Sequence, residues 1–117
     1  MQVGLVLDSC DPEALAPFWA AALGYVLVGS VENYVLLLPD GIEGPKLLIQ
    51  QVPEGKTLKN RMHLDIEVSD IEETASKLVA LGASRVEATV HEEHDCYWIV
   101  MADPEGNEFC LCCSTGR

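Results

Sequence analysis

Trp98-Ile99-Val100-Met101-Ala102-Asp103-Pro104-Glu105-Gly106-Asn107-Glu108-Phe109-Cys110-Leu111-Cys112 reads as two apolar strands around a tight turn. Asp103 suits the first turn position, and Pro104 presets the backbone angle of the second. Gly106 can take the left-handed conformation that closes a short, bulged hairpin. Side chains alternate along a strand, so Glu108, Cys110 and Cys112 share one face, and Phe109, Leu111 and Cys113 the other. Such a strand suits a sheet with a helix behind it and a ligand cavity in front.

Outward from this hairpin, residues 85–90 read as the preceding strand and residues 62–68 as an earlier one. Between them, Asp70-Ile71-Glu72-Glu73 is a capping box. Ile71, Ala75, Leu78, Val79 and Leu81 then form one helical face, and Gly82 stops the helix. The first half carries the same order. Residues 2–7 read as a strand, and Asp11 caps a helix with Pro12 at its first position. Leu15, Phe18, Trp19, Ala22 and Leu23 follow helical spacing, Pro17 bends the early turns, and Gly24 ends them. Residues 25–28, 33–38 and 46–52 read as strands separated by Gly29-Ser30 and Pro39-Asp40-Gly41. Residues 53–61 have no apolar period and read as a linker.

The chain is thus β-α-β-β-β written twice, repeat one over 2–52 and repeat two over 62–113. This predicts an α+β fold, with two βαβββ repeats forming curled mixed sheets around a cavity. The repeats pair within one chain or between two. A length of 117 residues suits a single domain over 1–117, and 49% hydrophobic residues suffice for a real core. A net charge of -12 excludes a nucleic-acid or anionic-membrane surface. No apolar run approaches the ~20 residues of a membrane span, and no signal peptide is evident. Five cysteines, three of them on one strand, fit reduced thiols in a cytoplasmic chain better than a disulfide framework.

These residues resemble the vicinal oxygen chelate superfamily, the glyoxalase/bleomycin resistance protein/dioxygenase fold, and within it the short glyoxalase-like domains. The resemblance rests on Asp11-Pro12-Glu13-Ala14-Leu15 leading to Phe18-Trp19 and Leu23-Gly24-Tyr25, on His63-Leu64-Asp65-Ile66, and on Trp98 with Asp103-Pro104-Glu105-Gly106-Asn107-Glu108-Phe109. It implies a homodimer and a small-molecule ligand between sheets. Metal-using relatives draw one ligand from the first and one from the last strand of each repeat. Those positions fall here at Gly4, at Ile49 or Gln50, at His63 and at Cys110. A glycine, an amide and a thiol beside one histidine imply a dismantled metal site and no cofactor. The remaining alternative is a rebuilt site in which His63, Asp65 and Cys110 meet from neighbouring strands.

His63 and Asp65 lie two apart on a strand and point to one face, where a histidine beside a carboxylate can act as a general base. They are the candidate catalytic pair. Gln50, His63, Trp98 and Cys110 are the candidate ligand-binding residues, Trp98 as an aromatic wall. No metal ligand set is assigned. His91-Glu92-Glu93-His94-Asp95 lacks the spacing of a helical zinc motif and reads as a solvated acidic loop. Cys110, Cys112 and Cys113 read as packing thiols. Lys46, Lys56, Lys59 and Arg61 read as a solvated basic group about the linker, able to steer an anion. The functional expectation is a small-molecule-binding protein with a degenerate metal site, sequestering an antibiotic-like or aromatic ligand. The alternative is a metal-independent lyase or isomerase using His63 and Asp65.

Overall fold

The computed structural model describes residues 3–60 and 62–114, so Gln2 of the first expected strand and Arg61 of the linker lie outside it. The chain forms two compact units, Met1–Gly55 and Lys56–Arg117.

In the first unit, β1 (Leu5–Ser9), α1 (Pro12–Leu23), β2 (Tyr25–Val31), β3 (Tyr34–Pro39) and β4 (Leu47–Gln51) follow in order. The sheet runs β1-β4-β3-β2, with β1 parallel to β4 and the other pairs antiparallel. The Asp11 carboxylate accepts from the Ala14 N–H and caps α1. Gly24, at φ 69°, closes the helix through its N–H to the Ala20 carbonyl. Pro17 is accommodated inside the helix rather than ending it. Leu15, Phe18 and Trp19 bury against Val35, Leu37, Leu47 and Ile49, each such side chain contributing about 1.5–3 kcal/mol of transfer free energy.

The strand break expected at Gly29-Ser30 is absent. Gly29 lies within β2, where the register with β3 shifts between Leu27 and Gly29. The glycine marks a bulge, and the chain turns instead at Glu32-Asn33, with Glu32 at φ 52°.

The second unit contains β5 (Leu64–Glu67), α2 (Ile71–Ala80), β6 (Ser84–Arg85), β7 (His91–Glu93), β8 (Cys96–Ala102) and β9 (Glu108–Ser114). Its sheet runs β5-β9-β8-β6, with β7 also paired to β8. Again the first and last strands of the repeat lie side by side and parallel. Asp70 Oδ1 accepts from the Glu73 N–H, the expected cap of α2. At the other end the Ala83 N–H reaches the Leu78 carbonyl, with Gly82 at φ 111°. Ile71, Ala75 and Leu78 face the core of Ile99, Met101, Phe109 and Leu111. Val79 and Leu81, expected on the same face, are instead about half exposed, because the stripe narrows as the helix ends.

The strand expected over 85–90 stops at Arg85, and residues 86–90 leave the ladder after the Val86 N–H bonds the Val100 carbonyl. The expected acidic loop is half strand: His91–Glu93 pairs with β8, and the turn is only His94-Asp95, both at positive φ. Two left-handed residues between right-twisted strands make a tight two-residue hairpin, and both residue types tolerate that conformation better than most.

Candidate functional site

The Asp103 turn sets the position of β9. Asp103 Oδ1 accepts from the N–H groups of Glu105 and Asn107, and its Oδ2 from the Asn107 side-chain amide. β9 leaves this turn in register with β8 on one side and β5 on the other. Phe109 and Leu111 then point to α2, and Glu108, Cys110 and Cys112 to the opposite, open face, as the alternation predicts.

Parallel pairing sets Asp65 beside Cys110 and Val100, and Glu67 beside Cys112, Trp98 and His91. His63 enters the same face just before β5. Its Nε2 lies 3.1 Å from Asp65 Oδ1, with the His63 and Asp65 side chains 49% and 63% exposed. The histidine is therefore half exposed rather than enclosed. The Cys110 thiol faces the same carboxylate. Asp65 thus bridges His63 and Cys110, and the donor atoms of all three lie within 4.8 Å of one another.

Burial, then the charge of Asp65 and its hydrogen bond, push the Cys110 thiol up to about 11. Burial and the same carboxylate push Cys112 up to about 12. Both thiols stay protonated at neutral pH and are poor nucleophiles. None of the five cysteines is in a disulfide. A histidine this close to a carboxylate on an open face is placed for general-base or ligand-acceptor work.

Beside this trio stands an aromatic platform. Trp98 lies on the open face, and the His91 ring stacks on it with centroids 5.2 Å apart and 18° between planes. Glu87 bonds the outer nitrogen of His91. The loop reading hid His91. The signal lay in His94-Asp95, a residue pair suited to a two-residue turn, which makes His91-Glu92-Glu93 a strand. Nearby, Lys59 pairs with Glu108 at 3.2 Å, whereas Lys56 bonds the Leu58 carbonyl.

In the first unit, Gln50 lies on the open side of β4, opposite Tyr34 and beside Asp8, to which its Nε2 donates at 3.0 Å. Ile49 is buried on the helix side. The repeats also settle the register. Leu5 and Leu64 each precede their capping aspartate by six residues, and they pair with Leu47 and Phe109. Leu48, rather than Ile49 or Gln50, therefore matches Cys110, and Gln50 matches Cys112. Gly4 matches His63. A Cβ on Gly4 would lie 3.1 Å from Lys46 Cε, so a cationic side chain occupies that neighbourhood. Glycine and leucine give no donor, and an adjacent ammonium repels a cation. The residues do not fit a metal shared between one donor pair from each repeat.

A family model for the glyoxalase-like domain matches residues 4–112. No curated protein matches the chain significantly. Among solved structures, the chain is similar to a glyoxalase/bleomycin resistance protein/dioxygenase family enzyme from Burkholderia phytofirmans PsJN, at 20% identity and TM-score 0.72, covering 94% of this chain and 95% of that one. It is similar to a glyoxalase-related enzyme from Fulvimarina pelagi, at 19% identity and TM-score 0.74, covering 97% and 88%. The genomically encoded fosfomycin resistance protein FosX from Listeria monocytogenes shares 14% identity at TM-score 0.76, covering 97% and 92%. At these identities the structural likeness shows the fold. With the family match spanning nearly all of both repeats, the chain belongs to the glyoxalase-like domain family, within the vicinal oxygen chelate superfamily.

Proposed function

We propose that this protein binds a small, flat organic molecule on the open face of its second sheet, in the manner of a sequestering protein. The observation that carries the reading is the pairing of two recognition elements on one face. Trp98, backed by the stacked His91, supplies an apolar plane. His63, Asp65 and Cys110 supply convergent polar atoms that fix orientation. An antibiotic-like or aromatic ligand suits this combination.

The test is a thermal-shift screen of aromatic carbonyl, phenolic and antibiotic compounds, run with a chelator so that metals play no part. A hit should raise the melting temperature of the parent protein and lose its effect in both Trp98→Ala and His63→Ala. A hit indifferent to both substitutions would place binding elsewhere and refute the reading.

The His63–Asp65 contact favours a second reading, a metal-independent lyase or isomerase with His63 as base. Turnover of a bound compound, abolished in His63→Ala while binding persists, would select it. The functional unit in this proposal is a homodimer. Its support is the apolar surface on the first sheet, where Val6 and Val31 are 60% and 71% exposed. Light scattering at tens of micromolar should give twice the chain mass, and a monomeric mass would refute the pairing.

A further inference from the structure

The inherited metal set is broken in the first repeat, yet three donors of different chemistry converge in the second. We propose that His63, Asp65 and Cys110 form a self-contained, exchangeable site for a thiophilic divalent cation such as zinc, built from one repeat alone. This goes beyond the ligand-binding reading and does not rest on it.

The backbone brings the three together. Asp65 and Cys110 are direct partners in the parallel β5–β9 ladder, and His63 lies two residues before Asp65 on the same face. The donor atoms already lie within 4.8 Å of one another. Ligand atoms around a tetrahedral zinc, bound at about 2.0–2.3 Å, stand roughly 3.3–3.8 Å apart. Contraction by about 1 Å is within reach of side-chain rotation, because His63 and Asp65 lie on an exposed face.

The donors choose the ion. An imidazole nitrogen, a carboxylate oxygen and a thiolate sulfur favour zinc, cobalt or cadmium over magnesium, calcium or manganese. The sulfur at Cys110 makes the donor set soft on one side. Among the described residues, no fourth histidine, cysteine, aspartate or glutamate joins the cluster, so one coordination position is left to water or a ligand. Because two of the three donors are exposed, the ion is also exchangeable. Binding forms a metal–sulfur bond as the Cys110 S–H bond breaks, and its proton leaves to solvent; no electrons change hands. The contacts of Asp65 with His63 and Cys110 give way to bonds to the ion.

Cobalt(II) added to the reduced, metal-free protein reads this out directly. A thiolate-to-cobalt charge-transfer band should appear, saturate at one equivalent and be displaced by zinc. Asp65→Asn and His63→Ala, both exposed positions that leave the core intact, should weaken zinc about tenfold or more by competition with a chromogenic chelator. Cys110→Ser should abolish the band, and Cys113→Ser, on the helix side of β9, should keep it. Circular dichroism confirms that each variant is folded; should Cys110→Ser unfold, the two exposed variants decide. Absence of the band in the parent protein overturns the proposal. So does a band that survives in Asp65→Asn and His63→Ala at full affinity. Because the organic-ligand screen is run with chelator, failure of either proposal leaves the other standing.

Discussion

Replacing Asp103 by alanine should destabilise the protein by about 3–4 kcal/mol. The carboxylate is 3% exposed and accepts three hydrogen bonds, at 2.8, 2.9 and 2.8 Å. Hydrogen bonds to a charged group typically contribute about 1.5–3 kcal/mol each. The three bonds share one carboxylate and one turn, so their contributions are not additive, and the loss is about that of two of them, with the Asn107 N–H left unpaired in a buried turn. A loss of that size is a large share of the roughly 5–15 kcal/mol that holds a domain folded. Urea denaturation followed by far-ultraviolet circular dichroism and tryptophan fluorescence measures it. The midpoint should fall with little change in slope. Asp103→Asn should fall between, since it keeps one acceptor but turns an amide toward the Asn107 amide. A loss below about 1 kcal/mol for the alanine variant would mean that Pro104 and Gly106 close the hairpin unaided, and the account of the turn would be wrong.

The raised thiols predict alkaline sensitivity. Cys110 and Cys112 ionise near 9.0 when unfolded but near 11 and 12 when folded. The folded state binds the proton more tightly, so this stability is complete below about pH 9 and is lost as pH rises through 11 to 12. Melting curves should show it, and a Cys110→Ala profile equal in slope to the parent's would refute it. Gly82→Ala should cost about 1–2 kcal/mol, because φ is +111° and the new Cβ would meet Pro104 Cγ at 3.1 Å; an unchanged midpoint would contradict this. With none of the five cysteines in a disulfide, a reducing agent should leave the melting temperature unchanged, and a clear fall would reveal a stabilising disulfide.

Local chemistry was the legible part of this chain. Asp11 and Asp70 announced their helices because a cap needs only its own next three residues. The face of β5 and β9 was legible because alternation is local too. What local pattern cannot carry is pairing across the chain. Leu48, and not Gln50, matches Cys110 because β4 pairs with β1 in a register no short window records. The His63–Asp65 pair follows from spacing, but Cys110 joins it only through the long-range β5–β9 ladder. Composition misled at two turns. Gly29-Ser30 resembled a turn where the glycine absorbs a bulge. His91-Glu92-Glu93 resembled a loop because charges populate an edge strand as readily as a coil.

The parallel pairing of first and last strands also bears on how the chain is made. β5 has no neighbour in its own repeat until residues 109–112 exist, some forty residues later. At roughly 5–20 residues per second, that strand waits seconds on the ribosome with Ile66 unpaired. The first repeat completes its own ladder once residues 47–51 have emerged, and so folds first. In the second, His63 and Asp65 are synthesised early and Cys110 late. A nascent chain interrupted anywhere between them therefore carries His63 and Asp65 without the ladder that brings Cys110 beside them.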